Sequence, residues 1–97
     1  MRIEILRETE QGAGWTFEAR ATDPRGRAWP FTMRLAWADY NLWCPDGTVA
    51  PEAVARAALA FALSREPAAE IESTFDVARL RRRHPDADRE IPALIRP

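Results

Sequence analysis

The side chains most often used for nucleophilic or metal chemistry are scarce in this sequence. It contains one cysteine, Cys44, and one histidine, His84. A cysteine nucleophile needs a base to activate it, and nothing near Cys44 suggests such a pair. A metal site would need further histidine or cysteine ligands at regular spacing, and the sequence has none. We therefore expect Cys44 to be an inert thiol and His84 a packed structural histidine, with no metal and no other cofactor.

Acidic residues and glycines do not form a catalytic pattern either. Paired catalytic carboxylates must converge in space, and the scattered aspartates and glutamates have no spacing that predicts this. Gly12 and Gly14 lack the further glycines and the following helix of a phosphate-binding loop. We predict that the protein has no catalytic residues and is not an enzyme.

The strongest charged feature is a run of arginines at Arg79, Arg81, Arg82 and Arg83. In the last turn of a helix these cations would complement the negative end of the dipole, and Asp86, Asp88 and Glu90 could pair with them. The other interpretation is a patch that binds an anion or nucleic acid. The whole chain has 14 basic and 15 acidic residues and a net charge of -1, so it lacks the basic excess of most nucleic-acid-binding proteins.

A second candidate interaction surface is aromatic. Trp37, Tyr40 and Trp43 would form one stripe on a short helix, because residues three apart lie on the same face. Such a stripe is either a lid on the core or a surface for a partner protein. We favour the lid.

The elements that position these residues begin with strands. Trp15 to Thr22 alternates apolar and polar residues, as does Trp29 to Trp37, and Met1 to Ile5 shows a shorter version of the pattern. Asp23-Pro24-Arg25-Gly26 has the residues of a type I turn. Together these features predict a three-stranded antiparallel β-meander in which Pro30 marks an edge strand or a strand start.

Helices should cover the apolar face of this meander. The main one is predicted at Pro51 to Arg65, apolar on two sides, so that it must face both the sheet and either the C-terminal segment or a second subunit. A further helix should start at Asp76 as N-cap and end at His84, before Pro85. The predicted fold is α+β, with one long and one or two short helices. The domain would span residues 1–91, and residues 92–97 would form an extended tail.

The compartment is predicted from what the chain lacks. A single cysteine cannot form an internal disulfide, Met1 to Leu6 is not an apolar signal segment, and no apolar run approaches 18 residues. We expect a cytoplasmic protein without a membrane partner.

Several segments together resemble a set of short bacterial proteins. They are Thr32–Tyr40 with its Ala-Asp-Tyr, Ala50–Val54, Phe61–Pro67, Phe75–Val77 and Pro85–Ile91. The resemblance covers about residues 32–91 and implies no activity, since that family has none assigned. The chain departs from the family pattern at His84, where an aromatic residue is expected, and after Ile91.

The order of elements also resembles ribbon-helix-helix repressors of the antitoxin type. In that fold the strand Phe31–Leu35 would pair across a dimer, and Thr32 and Arg34 would read the major groove. The short first helix and the net charge speak against this alternative. We therefore predict a non-catalytic accessory or regulatory protein that binds an unknown protein partner or itself as a homodimer, with DNA binding as the alternative.

Overall fold

The computed structural model describes residues 1–95, which form a four-stranded sheet and four α-helices. The strands are β1 (Arg2–Gln11), β2 (Gly14–Thr22), β3 (Ala28–Ala36) and β4 (Thr74–Asp76). The helices are α1 (Trp37–Trp43), α2 (Pro51–Arg65), α3 (Ala78–Arg83) and α4 (Ala87–Ile95), with a 3-10 turn at Ala68–Glu70. The α+β class predicted from the sequence is confirmed.

The first three strands form the predicted antiparallel meander. Asp23 closes the second turn as expected, since its carbonyl accepts a hydrogen bond from the Gly26 amide at 2.9 Å and its carboxylate accepts from the Arg25 and Arg27 amides. Gly26 has φ +88°, a conformation that favours glycine. The alternation of side chains places one face of the meander in the core.

A fourth strand, absent from the prediction, extends the sheet. β4 pairs in parallel with β3, so that Met33 lies opposite Phe75. Pro30 lies outside this pairing, which spans only residues 32–34 of β3, and its missing N–H therefore leaves no ladder position empty. Along residues 32–34, β3 has a neighbour on both sides. The ribbon-helix-helix arrangement is thus not adopted, because that fold needs this strand free to pair across a dimer.

Helix α2 is buried on two sides, as its sequence predicts. Its side chains Val54, Leu59 and Phe61 are almost fully buried, and the helix contacts β1 and β2 as well as α4. The sequence predicts the C-terminal segment or a second subunit as the partner for the second apolar side of α2. In the structure that partner is α4, in the C-terminal segment. Most of the apolar surface of α2 that suggested a second subunit is therefore covered within one chain.

The C-terminal prediction was wrong in its secondary structure. Residues 92–97 were expected to form an extended tail, but α4 continues through Pro92 to Ile95, and residues 96–97 lie outside the described residues. Ala87 and Ile91 are fully buried. Burial of this face overrides the loss of one backbone hydrogen bond at proline.

The start of α3 also differs from the prediction. Asp76 is the last residue of β4, and the N-cap position belongs to Val77. The Asp76 carboxylate still accepts a hydrogen bond from the Ala78 amide at 2.9 Å, so it stabilises the helix start from one residue earlier. The helix ends before His84, as expected from Pro85.

Candidate functional site

The four arginines of α3 point in three directions and do not form one basic patch. Arg83 pairs with Glu66 at 3.2 Å, and Arg81 reaches α1 and α4. Arg79 and Arg82, three residues apart and so on the same helix face, both line a groove at the sheet. The short helix thus divides its charge between two structural contacts and one open surface.

Arg81 is the centre of a polar network that joins three helices. Its Nε and Nη2 donate to the two carboxylate oxygens of Asp88 at 2.9 and 3.2 Å, and its Nη1 donates to Asp39 at 3.3 Å. Trp43 Nε1 also donates to Asp88, at 2.9 Å. A bidentate arginine–carboxylate contact fixes orientation as well as distance. The network therefore sets the position of α3 relative to α1 and α4.

The pKa values of the two carboxylates in this network, Asp39 and Asp88, are shifted in opposite directions. Burial raises the pKa of Asp39, an effect that the neighbouring Arg81 only partly offsets. The hydrogen bonds from Arg81 and from Trp43 lower the pKa of Asp88. The lowered pKa favours the ionised form of Asp88, which is therefore the stronger of the two ionic partners of Arg81. This confirms one of the three pairings predicted for the arginine run, whereas Asp86 pairs with Arg65 and Arg89, and Glu90 with Arg89.

The open surface is a polar cavity of about 470 Å³ between the sheet and α3, which we call the outer groove. Across its floor, Thr16, Arg34 and Asp76 lie opposite one another on β2, β3 and β4, and Thr32 lies opposite Thr74. The complete lining is Thr16, Thr32, Arg34, Glu72, Thr74, Phe75, Asp76, Arg79 and Arg82. Its volume falls in the range typical of small-ligand sites.

Three arginines face two acidic residues in the outer groove. Arg79 is bound to Glu72 at 3.3 Å, and Arg34 donates to the Gln11 carbonyl at 3.1 Å. Arg82 is exposed and makes no ion pair with any residue between 1 and 95. Its five N–H donors are oriented by no protein carboxylate in that range. Together with the threonine hydroxyls, this cation can receive an anionic group.

The aromatic stripe is placed as predicted, with one exception in exposure. Tyr40 and Trp43 are buried, and Tyr40 donates its hydroxyl hydrogen to the Val49 carbonyl at 2.6 Å. Trp37 is 46% exposed and packs against Trp15, with ring centres 5.4 Å apart and ring planes tilted by 37°. Two of the three residues therefore form the lid on the core. The role of any of them in partner binding stays a prediction.

Cys44 and His84 have different neighbours, and neither residue lines the outer groove. Cys44 is fully buried, with its thiol 3.4 Å from Asp46. The His84 ring packs edge-on against Phe61 and lies 3.4 Å from Glu66. In residues 1–95 there is no group of three or more histidine, cysteine or acidic side chains arranged to hold a metal ion.

Sequence reasoning found part of the groove. Arg79 and Arg82 were named as candidates, and Thr32 and Arg34 as outward-facing residues of a strand. Thr74 and Asp76 were missed because β4 has only three residues, too few for a visible alternation. The outward positions of β2, such as Thr16, could have been read from the period-two pattern.

Known proteins do not identify the chain: no protein-family model, no curated protein and no solved structure matches it. Among the helices of residues 1–95, none has the length and apolar character needed to cross a bilayer.

Proposed function

We propose that this protein is a non-catalytic binding domain whose outer groove receives an acidic segment of a partner protein. One observation carries the proposal, namely that Arg34, Arg79 and Arg82 converge on a groove of about 470 Å³ that also contains three threonine hydroxyls. Guanidinium groups match the planar geometry of carboxylates, and hydroxyl groups complete the hydrogen bonding.

Carboxylates fit the groove better than a run of phosphates does. Glu72 and Asp76 line the same cavity and would repel an extended phosphate backbone, and the net charge of the chain is -1. A peptide can place one or two carboxylates at the arginines and uncharged residues beside the acids. For this reason we prefer a protein partner to a nucleic acid.

The polar network behind the groove supports binding in place of catalysis. Arg81 donates two hydrogen bonds to the Asp88 carboxylate, and these hold α3 against α4. Because Arg79 and Arg82 extend from this anchored helix, the positions of their backbone atoms are set before a partner binds. Cys44 and His84, the residues best suited to nucleophilic or acid–base work, do not line the groove.

Fluorescence anisotropy with a fluorescein-labelled peptide of eight glutamates tests the proposal. We expect saturable binding that weakens with salt and about tenfold with Arg82→Glu, which corresponds to about 1.4 kcal/mol. The matched control is Arg25→Glu, which makes the same charge change at the turn between β2 and β3, outside the groove. Its affinity should stay close to that of the wild type.

Two results would overturn the proposal. Equal weakening by Arg25→Glu and Arg82→Glu would mean that the peptide senses only net charge. Tighter, salt-dependent binding of a DNA duplex than of the peptide, lost with Arg82→Glu, would assign the groove to nucleic acid.

A further inference from the structure

The outer edge of β1 is open over its first half. β1 is the terminal strand of the sheet, so the outward N–H and C=O groups of its backbone face no other strand in residues 1–95. A bulge at Leu6 interrupts the pairing with β2 between Ile5 and Arg7. Bulges and charged side chains protect sheet edges from pairing, and beyond the bulge Glu8 and Glu10 add such charges. Residues 1–5 lack both an interruption and a run of like charge.

Apolar surface lies directly beneath this open half. A cavity of about 460 Å³ is lined by Met1 and Ile3 of the edge, by three alanines and Arg56 of α2, and by Leu94 and Ile95 of α4. An adjoining cavity of about 280 Å³ shares Met1 and Ile3 and ends at Leu63 and Ser64. Met1 is 54% exposed and Leu94 is 49% exposed. The helical layer thus extends beyond the sheet edge, where the inward side chains of one more strand would lie.

We propose that a second copy of this chain supplies that strand, with the two β1 segments pairing antiparallel around a two-fold axis at Ile3. Ile3 then faces Ile3 of the second copy, and Met1 faces its Ile5 on the inner face. On the outer face, Arg2 of each copy lies opposite Glu4 of the other. Both faces of the contact are therefore self-complementary: charges of opposite sign meet on the outer face, and apolar side chains cover the cavities on the inner face.

The sequence of β1 selects this register over its neighbours. Centring the axis on Arg2 would place Arg2 against Arg2, and centring it on Glu4 would place Glu4 against Glu4, both unfavourable. Sliding one strand by a single residue along the other would pair Ile3 with Arg2 or Glu4, which exchanges the inner and outer faces of one copy and brings its apolar side chains to solvent. Centring on Ile5 would run the ladder across the bulge at Leu6. The Ile3 register alone avoids all three conflicts.

The proposed axis stands perpendicular to the sheet. The two four-stranded sheets become one of eight strands, with both helical layers on the same side. This surface is centred on the edge of β1 and includes α2 only through the residues that line the two cavities, whereas the side of α2 that packs on α4 is already covered. It is also separate from the outer groove, since no residue lines both.

A charge-swap experiment tests the pairing. Arg2→Glu places a new carboxylate opposite Glu4 of the second copy, and Glu4→Arg places a new guanidinium opposite its Arg2. Each variant alone should therefore weaken self-association about tenfold or more. Within each copy Arg2 also lies 3.8 Å from Glu4, and both variants lose this exposed pair. In a heterodimer of the two variants, both charged pairs between the copies are again of opposite sign, so an equal mixture should associate more tightly than either variant alone, close to wild-type affinity. Sedimentation velocity and light scattering of the full chain from 1 to 300 µM, at low salt, measure each case.

The control is Arg7→Glu, which changes charge by the same amount on β1 but beyond the bulge. It loses only an exposed contact with Glu18 at 3.9 Å and should dimerise like the wild type. Because Glu4 also pairs with Arg20 at 3.2 Å, circular dichroism verifies the fold of each variant, and Arg2→Glu remains informative if Glu4→Arg unfolds. A monomeric wild type over the whole range, or a dimer that both single variants retain, would overturn the proposal.

Discussion

Replacing Ile91 by alanine tests whether α4 is part of the core. Ile91 is fully buried, one turn after the equally buried Ala87, in a helix that packs on α2. Truncation of a buried isoleucine to alanine costs about 2–5 kcal/mol, because transferred apolar surface is lost and a cavity remains. For a domain of this size, each 1 kcal/mol lowers the melting temperature by about 4–8 °C, so a cost of about 3 kcal/mol predicts a fall of about 12–24 °C.

Urea and thermal unfolding monitored by circular dichroism measure this effect. Leu42→Ala is the matched control, since it removes the same number of carbons from a helical side chain that is 46% exposed. The control should change the free energy of unfolding by less than about 0.5 kcal/mol. If Ile91→Ala were as mild as Leu42→Ala, the claim that α4 completes the core would be refuted.

Three further substitutions have defined outcomes. Gly14→Ala should destabilise the protein by at least about 1–3 kcal/mol in urea unfolding, because the new Cβ would lie 2.2 Å from the Leu35 carbonyl oxygen; an unchanged midpoint would contradict the close β2–β3 approach. Trp43→Phe removes a hydrogen bond to the Asp88 carboxylate and should cost about 1.5–3 kcal/mol at pH 7, measured the same way; a loss no larger than that of an exposed substitution would show the bond to be unimportant. Burial raises the folded-state pKa of Asp39 above 3.8, its value in the unfolded chain, so the wild type loses stability as pH rises and Asp39 ionises. Asp39→Asn cannot ionise, and its stability relative to the wild type should therefore increase as pH rises above 3.8. Thermal melts from pH 3 to 8 that show a constant difference between the two proteins would contradict the raised pKa.

The parts of the fold with a strong local pattern were predictable from the sequence. Period-two alternation located β2 and β3, and Asp23 to Gly26 located the turn between them. The apolar residues around α2 predicted a helix buried on two sides. These signals depend on neighbours in sequence, so no tertiary information was needed.

The missed parts depend on long-range contacts. β4 is a three-residue strand that exists because β3 offers it a parallel edge, and residues 74–76 alone do not indicate a strand. In α4, Pro92 argues against a helix locally, yet Ala87, Ile91 and Ile95 follow one another at intervals of four and form an apolar face. Tertiary burial decided between these two signals.

The same distinction explains how much of the candidate site was found. Adjacent arginines in sequence suggested one patch, but the residues of a helix point in different directions, so the patch separates into Arg81, Arg83 and the groove pair Arg79 and Arg82. The acidic partners Asp39 and Glu66 come from segments well separated in sequence from the arginines they contact, and Glu72 comes from the loop before β4. Their positions follow from topology, which spacing along the chain does not contain.

The most direct test of the binding proposal is to map where an acidic peptide contacts the protein. In a titration of ¹⁵N-labelled protein with the eight-glutamate peptide, we predict chemical-shift changes concentrated at the amides of residues 32–34, 74–76 and 79–82 and at the Arg82 side chain. Changes concentrated at the β2–β3 turn, at the β1 edge or at the exposed face of Trp37, with the outer groove unaffected, would contradict the proposal.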